Sequence, residues 1–369
     1  MGVFLFYKAI WENLNLLLLC QMKTEYDYII VGLGLAGISF CEQLRAHNKT
    51  FVVFDDSSQK SSVVAGGLYN PVVLKRFTSV WKSDAQLELA LAHYSNLEQL
   101  LKVTLDCKIP VYRKFASVEE QNNWFIAADK PKLNKYLLNE IIQNNNSAIN
   151  ASYGFGKVLH TGRIDVNKLI KSYKTFLGYN DALIQESFDY DALNAEKQFI
   201  TYKDVRAKQI VFSEGFGVTK NPFFKNLPLS PTKGELLTIF APELKIDFVL
   251  KGPVFLIPIG NNLYIVGATY ELYDLTHNTT NKAKTKLLEG LKSMISCPFE
   301  IVNQVAGIRP TVRDRRPLVG KHNTHDNMYL LNGLGTRGVM IGPYVAKQLF
   351  EFIEEDKPLE REISLSRLN

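Results

Sequence analysis

Cysteine is scarce in this chain of 369 residues, and its four cysteines, Cys20, Cys41, Cys107 and Cys297, lie far apart. None belongs to a CxxC pair or to a Cys/His cluster. The spacing indicates neither a disulfide framework nor a zinc site, and we expect no bound metal. Isolated thiols are typical of a reducing compartment, so we predict a cytoplasmic protein.

Long hydrophobic runs are also lacking. Residues 1–22 are apolar but are broken by Lys8 and Glu12, and their longest clean run, Leu16–Cys20, is far shorter than the ~20 residues of a membrane span. A basic start and a small-residue cleavage site are missing, so the segment is a poor signal peptide. We interpret residues 1–22 as an N-terminal extension from a start placed too early, with a peripheral membrane or partner contact as the alternative.

Strong net charge is the third absence. The formal net charge is only +6, which is weak support for an anionic ligand and gives no reason to expect nucleic acid. The composition, with 46% hydrophobic and 22% charged residues, is that of an ordinary globular protein. The length suggests about two domains, and no internal repeat is visible in the sequence.

The chain does have a dinucleotide-binding pattern near its start, in YDYIIVGLGLAGISFCEQLRAHNKTFVVFDD. Tyr28–Val31 predicts a buried parallel strand, a GxGxxG turn and a helix follow, and Phe51–Phe54 predicts a second strand. In such a motif Gly32 permits the tight turn, Gly34 lets the backbone reach a pyrophosphate, and Gly37 lets the helix pack on the strand. The helix N-terminus presents free N–H groups to the phosphates.

An acidic pair follows the second predicted strand. Asp55 lies 23 residues after Gly32, close to the ~20 expected for a carboxylate that binds a ribose hydroxyl, and Asp56 is next to it. A carboxylate here disfavours a 2′-phosphate, and therefore NADPH. The motif alone leaves the choice between NAD and FAD open.

The middle of the chain supplies further elements of a larger fold. Ser61–Pro71 (SSVVAGGLYNP) offers small residues whose N–H groups can face a flat ligand, an ordinary surface loop being the alternative. The pattern predicts helices over Trp81–Leu101, Ala116–Asn146 and Gly162–Leu177, the last with Asp165 as N-cap.

Strands dominate the next part of the sequence. Ala207–Gly217 predicts a short buried strand that ends in glycine beside a cofactor. Between residues 231 and 271, apolar stretches alternate with turn residues. This alternation predicts an antiparallel sheet that is distinct from the sheet at the front of the chain.

The back of the chain combines glycine with arginine. NGLGTRGVMIGP (Asn332–Pro343) holds four glycines in twelve residues, and glycine serves where the backbone takes a positive φ or approaches a ligand closely. Upstream, in AGIRPTVRDRRPLVGKH, Arg309 is held in a stiff extended segment by the following proline and suits bidentate binding of a carboxylate. We interpret Arg313 and Arg315 as members of a solvated loop.

Together these motifs resemble the FAD-dependent D-amino-acid oxidase and glycine oxidase family. The resemblance rests on the front GxGxxG unit, on GIRPTVRDRRPLVG and on NGLGTRGVMIGPYVAKQL. Four links, TGRIDVNKL, AKQIVFSEGFG, PTKGELL and LYIVGATYE, fit the family in the same order. The likeness covers the chain from Tyr26 onward, apart from residues 80–150.

The resemblance implies an α/β fold, in which a Rossmann-type FAD-binding domain carries a second, antiparallel-sheet substrate domain inserted in two segments. We therefore assign residues 23–78, 150–222 and 304–369 to the FAD-binding domain. The substrate domain would comprise residues 79–149 and 223–303.

The resemblance also implies that the late glycine-rich loop folds back onto the flavin held by the front motif. A helix predicted over Val339–Phe350 would direct its N-terminus at the flavin N1/C2=O region, where its partial positive charge stabilises reduced flavin. The residues that the resemblance assigns to the cofactor are Gly32, Gly34, Ala36, Gly37, Asp55, Asp56, Ser61, Ser62, Gly66, Gly67, Leu68, Phe188, Gly215, Gly333, Gly335, Thr336, Arg337, Gly338, Val339 and Met340.

The implied reaction is oxidation of the C–N bond of a small amine or amino acid. The uncharged amine gives a hydride to flavin N5, the imine is hydrolysed, and oxygen or another electron acceptor reoxidises the flavin. Arg309 aligns with the family's carboxylate-binding arginine and is our candidate catalytic-site residue. The scheme requires no acid/base dyad, and we find none. We expect no nucleic-acid partner, and a homo-oligomer is compatible with the sequence.

Several positions depart from the family pattern and bear on the substrate more than on the cofactor. Phe255 stands where glycine oxidases have a tyrosine that touches substrate. Tyr264 or Tyr270 could replace its hydroxyl, although we interpret both as sheet-packing aromatics. The other departures are Asp55 for a glutamate, Glu235 for a glutamine and Leu334 for a histidine.

Three other functions stay open. GTRG and GGLYNP also resemble the flavin domain of bifunctional tRNA-wobble-uridine modification enzymes, which oxidise a carboxymethylaminomethyl group on RNA, although this chain has no room for their methyltransferase half. A non-catalytic flavoprotein would keep Arg309 in a structural ion pair. An NAD-linked dehydrogenase would explain the front motif but would leave the late loop without a role.

Overall fold

The computed structural model describes residues 24–368, so the interpretation of residues 1–22 lies outside the described residues. The helices are α1 Leu35–Ala46, α2 Ser83–Leu101, α3 Val118–Ala128, α4 Val166–Tyr179, α5 Asn281–Lys292 and α6 Gly338–Glu354. The strands up to residue 212 are β1 Thr24–Val31, β2 Phe51–Phe54, β3 Leu68–Tyr69, β4 Val72–Val73, β5 Thr78–Ser79, β6 Asp106–Cys107, β7 Val111–Lys114, β8 Phe155–Val158, β9 Gly162–Ile164, β10 Leu183–Ile184, β11 Leu193–Ala195, β12 Ile200–Tyr202 and β13 Val205–Phe212. The later strands are β14 Thr232–Phe240, β15 Val249–Lys251, β16 Phe255–Pro258, β17 Leu263–Gly267, β18 Glu300–Arg309, β19 Leu318–Lys321 and β20 Met328–Asn332.

The first large sheet is the parallel one that the front motif predicts. Its order is β10-β2-β1-β13-β12-β11, with β20 beside β13 and β19 beside β20. β1 pairs in parallel with β2 and β13, and β13 pairs in parallel with β20. Ile29 and Ile30 of β1 point to opposite faces and are both fully buried, because helices cover one face and the other face packs in a second apolar cluster that includes Tyr202 and Phe224. This confirms the predicted Rossmann-type arrangement.

The second large sheet has the order β18-β14-β17-β16-β15-β7-β8. Neighbouring strands are antiparallel except β15 and β7, which are parallel. Leu237 and Ile239 of β14 are fully buried in a separate core with α5. The alternation between residues 231 and 271 therefore predicted the antiparallel sheet correctly.

The predicted domain division stays a proposal, and the sheets cross two of its boundaries. β8 lies inside the range 150–222 but belongs to the second sheet, and β18 spans residue 304. Helix α2, inside the range 79–149, packs on α6 of the first domain.

Two helix predictions were too long. Residues 129–146 are not helical, because this polar, asparagine-rich stretch pairs with β8 through Leu137 and Ile142 instead. Gly162–Ile164 forms strand β9, and α4 begins only after Asp165, whose carboxylate accepts the Lys168 N–H at 3.1 Å and confirms the predicted N-cap. Within residues 24–368, no helix has the length and apolar character that crossing a bilayer requires.

Candidate active site

A cleft of about 980 Å³ lies where the carboxyl ends of the parallel strands meet one face of the second sheet. Its walls include the turn after β1, the end of β2, the loop before β3, and the loop that leads into α6. Every predicted site residue lines it except Gly37 and Gly333. The structure thus brings together segments that are about 300 residues apart in the chain.

The turn between β1 and α1 is closed around its glycines. Gly32 has a φ of +94°, and a Cβ there would lie 2.7 Å from the Ser213 carbonyl oxygen. A Cβ at Gly37 would collide with the Gly32 carbonyl oxygen, so Gly37 lies behind the lining and allows α1 to approach the strand. Gly34 precedes α1 and gives it no side-chain cap, which leaves N–H groups of the first turn for a phosphate ligand.

The acidic pair lies at the same end of the cleft. Asp55 accepts the Leu33 N–H at 3.0 Å and pairs with Lys174 at 2.5 Å, so its carboxylate is fixed at the end of β2. Asp56 is exposed, and hydrogen bonds from Ser187 and Ser58 outweigh the partial desolvation of its carboxyl group and lower its pKa below the ordinary value.

Aromatic and polar side chains complete this end. Phe188 lines the cleft and stacks on Tyr202, with ring centroids 4.2 Å apart, which makes a flat wall suited to an adenine ring. The Ser213 hydroxyl also lines the cleft and is buried without a hydrogen-bond partner among residues 24–368. A buried hydroxyl without a hydrogen-bond partner destabilises a protein unless a ligand bonds to it. The position of Ser213 is therefore consistent with a dinucleotide bound in this cleft.

The small-residue loop Ser61–Leu68 is pressed against the second sheet. A Cβ at Gly66 would lie 2.7 Å from the Ile257 side chain, and one at Gly307 would lie 2.5 Å from the Val64 side chain. The wall between the two sheets is therefore made of backbone. Without side chains in the way, a flat ring such as a flavin can lie close against it.

The late glycine-rich loop forms the opposite wall. Gly335 has a φ of +58° and faces open space, so its conformation alone demands glycine. Gly333 does not line the cleft, and a Cβ there would lie 2.7 Å from the Val312 side chain. Helix α6 then starts at Gly338, and Thr336–Met340 line the cleft. The N-terminal end of α6 therefore faces the cleft.

A row of neighbouring residues across the second sheet forms the floor of the cleft. In register from one strand to the next the row runs Leu236, Gly267, Phe255, Lys251 and Arg113, and all five line the cleft. The ammonium group of Lys251 lies 4.3 Å from the centre of the Phe255 ring. Phe255 therefore carries no hydroxyl into the cleft, but a cation lies beside its ring.

Arg309 enters the cleft from the end of β18. Its guanidinium lies over the Tyr270 ring at 4.8 Å and donates to the Thr269 carbonyl oxygen at 3.3 Å. It occupies the space that a side chain at Gly234 would fill. Burial lowers the pKa of Arg309, and no carboxylate in the described part of the chain pairs with it. The geometry suits an incoming carboxylate.

The structure places the other residues singled out in the sequence at different distances from the cleft. Tyr264 packs in the core of the second sheet as predicted, but the sheet-packing interpretation of Tyr270 was wrong, because Tyr270 lines the cleft. Glu235 does not reach the cleft: its carboxylate accepts hydrogen bonds from Thr280 and Gln304. Arg313 and Arg315 are exposed, as the solvated-loop interpretation predicted.

Sequence analysis missed Lys251, whose one signal is that a lysine ends the short apolar strand VLK. Metal chemistry has no visible site in residues 24–368, where no group of three or more His, Cys, Asp or Glu side chains is arranged to hold an ion.

The parallel sheet, its glycine turn and the facing second sheet define a dinucleotide-binding α/β protein whose cleft lies between two sheets. Comparison with known proteins makes this specific. The chain belongs to the family of FAD dependent oxidoreductases called DAO, whose sequence profile matches residues 27–352. It is therefore an oxidoreductase, and its cofactor is FAD.

Individual relatives are distant. Glycine oxidase of Bacillus subtilis is 20% identical over 359 residues, which cover 90% of this chain and 94% of that protein. The crystal structure of glycine oxidase from Geobacillus kaustophilus has a TM-score of 0.74 at 16% identity, over 90% of this chain and 96% of that one. The tRNA 5-methylaminomethyl-2-thiouridine biosynthesis bifunctional protein MnmC of Marinobacter nauticus is 24% identical over 167 residues, 41% of this chain and 26% of that protein.

Proposed function

We propose that the protein oxidises the C–N bond of a small amine that carries a carboxylate, such as an amino acid or an N-substituted glycine. The observation that carries the proposal is Arg309, a half-buried guanidinium without a carboxylate partner in the described residues, placed in the same cleft as the dinucleotide turn. The relatives named glycine oxidases support it.

The residues of the cleft divide the work. FAD, when bound, supplies the two-electron acceptor, so that a hydride leaves the substrate α-carbon and the imine is released to hydrolysis. The α1 N-terminus and Ser213 would hold its dinucleotide part, and the late loop and the α6 N-terminus would hold its ring. Arg309 binds the substrate carboxylate through two N–H groups and thereby fixes the α-carbon. Phe255 and Leu236 present apolar surface that excludes water.

Replacing Arg309 tests the proposal. Arg309→Ala should raise KM for carboxylate amines about 10- to 150-fold, the equivalent of ~1.5–3 kcal/mol for a charged hydrogen bond. Arg309→Lys should recover part of the loss, because a lysine keeps the charge without the bidentate geometry. FAD content, measured by absorbance, should stay at the wild-type level.

Arg206→Ala is the matched control, because Arg206 pairs with Glu25 near the amino ends of β13 and β1, and neither residue lines the cleft. An Arg309→Ala protein that folds but has lost its FAD would show that the arginine serves the cofactor instead. An unchanged KM would remove the substrate role.

The tRNA reaction is the second candidate, supported by the partial match to MnmC. Anaerobic mixing with a panel of amino acids, N-substituted glycines and a carboxymethylaminomethyl uridine separates the two, because the true substrate bleaches the flavin. Repeating the mixing in air tests the proposal that oxygen is the acceptor. The cytoplasmic location and a homo-oligomeric state stay predictions.

A further inference from the structure

Charge is unevenly distributed along the cleft. The acidic lining residues belong to the first-sheet end and are already engaged: they are Asp55 with Lys174, Asp56 with Ser187, Glu186 with Lys203 and Glu214 with Tyr190 and Asn221. The charged side chains that reach the cleft from the second sheet and the late loop are all cations, namely Arg113, Lys251, Arg309 and Arg337.

One of these four cations has a carboxylate partner. Arg113 is paired with Glu120 through bonds of 2.9 and 2.6 Å. Arg337 donates only to the Asn70 carbonyl oxygen, at 3.0 Å, and Lys251 faces the Phe255 ring. Within residues 24–368, no carboxylate lies within 4.0 Å of Lys251, Arg309 or Arg337.

The positive charges on this side of the cleft repel one another and disfavour the protonated forms of these side chains. Burial, reinforced by the nearby positive charges of Arg337 and Arg113, lowers the pKa of Lys251 to about 8. Burial also lowers the pKa of Arg337. Cations without carboxylate partners in a partly buried cleft are stabilised by anionic ligands.

A single substrate carboxylate does not account for these cations. Arg309 reaches in from β18 and Lys251 from β15, and the sheet order places three strands between them. Neighbouring strands are about 4.8 Å apart, so the two backbones are about 19 Å apart across the sheet. The two side chains therefore reach the cleft from well-separated strands of the second sheet.

We propose that Lys251, assisted by Arg337, forms a second anion-binding subsite, and that the substrate is an amine with two carboxylates. Arg309 binds the carboxylate next to the oxidised carbon, and Lys251 binds the distal one. The inference rests on the proposed function, because it names the substrate class of that reaction.

Binding of unreactive acids to the FAD-loaded protein tests the subsite without any chemistry. The probes are acetate, malonate, succinate, glutarate and inorganic phosphate, followed by calorimetry and by the flavin spectrum. We expect at least one dicarboxylate to bind tenfold or more tightly than acetate. Lys251→Met should reduce that ratio at least tenfold, and Lys251→Arg should preserve most of it.

Lys157→Met is the matched control, because Lys157 is on β8 of the same sheet but does not line the cleft. Equal binding of acetate and every dicarboxylate would overturn the proposal. So would phosphate binding as tight as the best dicarboxylate, which would assign the subsite to a phosphate group. Loss of FAD from Lys251→Met would assign the lysine to the cofactor.

Reaction rates then separate this inference from the proposed function. If dicarboxylates bind through Lys251 but no amine reduces the flavin, the subsite stands and the oxidation proposal fails. If glycine reduces the flavin with a higher kcat/KM than iminodiacetate and aspartate, the oxidation proposal stands and the two-carboxylate substrate is wrong.

Discussion

At the scale of single residues, the position of Arg309 depends on a glycine at position 234, which has no side chain to compete for the same space. Its guanidinium fills the space over Gly234, so Gly234→Ala should displace it and raise KM for carboxylate amines nearly as much as Arg309→Ala does. Steady-state kinetics with a check of FAD content would measure this. Gly178→Ala is the control, since nothing lies within 4 Å of a Cβ there. An unchanged KM would show that Arg309 does not need this space.

A second residue, His93, makes stability depend on pH. It lies buried on α2 against Tyr94, its Nε2 has no partner among residues 24–368, and burial lowers its pKa to about 4. The unfolded chain, with a histidine pKa near 6.5, binds more protons below that pH. Stability from neutral His93 is therefore complete above pH ~6.5 and is lost as the pH falls toward 4, by about 3 kcal/mol in all.

Urea unfolding at pH 7 and pH 4.5 measures this loss. His93→Gln should remove that part of the pH dependence, whereas His160→Gln, at an exposed position, should keep it. Identical pH slopes in the wild type and His93→Gln would contradict the assignment.

At the scale of elements, the start of α6 contains a backbone group that the helix cannot satisfy. The residue four positions after Val339 is Pro343, which has no N–H, so the Val339 carbonyl lacks its helical donor. The hydroxyl of Tyr94, on α2, donates to that oxygen at 3.0 Å. Helix α2 thus supplies the hydrogen-bond donor that α6 lacks, next to the turn of α6 that lines the cleft.

Removing this hydroxyl should destabilise the fold. Tyr94→Phe leaves a buried carbonyl unpaired and should lower the free energy of unfolding by about 1–3 kcal/mol. In a Pro343→Ala background, the new N–H can replace the hydroxyl, so the same change should cost less. Chemical denaturation of the four proteins of this double-mutant cycle measures the difference. Equal costs in both backgrounds would refute this role.

Helices could be predicted where the apolar periodicity or a capping residue lay within the helix itself or next to it. The periodic apolar pattern within Trp81–Leu101 and the N-cap Asp165 gave real helices, because both signals lie within a few residues. The stretch 129–146 could not be predicted, since its conformation depends on pairing with β8, which is distant in sequence. Gly162–Ile164 similarly joins a small sheet with β3 and β6 rather than continuing a helix.

The residues of the candidate site also fall into those that local motifs predict and those that they do not. The positions of the turn after β1, the small-residue loop and the late loop follow from short motifs with a backbone function. Lys251 could not be predicted as a lining residue, because its position depends on strand register. Lys251 faces the cleft only because β15 pairs with β7, whose Arg113 comes from much earlier in the chain.

At the scale of the whole molecule, residues of both sheets line the cleft, so a cofactor bound there would contact both. A ligand that binds only the folded state stabilises it by ~2.7 kcal/mol at a free concentration of 100 Kd. Adding FAD to the stripped protein should therefore raise Tm progressively with concentration, which thermal unfolding followed by fluorescence would measure. A Tm independent of FAD would contradict a site built from both sheets.

The place of β20 in the first sheet has a consequence for the maturation of the protein. β20 pairs with β13, and it leads directly into the loop that closes the cleft. On the ribosome, β14–β18 are therefore complete before this last wall has been made. We expect each new chain to pass through a stage in which the strands of the second sheet have been synthesised but the loop after β20 has not. Insertion of FAD would then be a late event in the maturation of the protein.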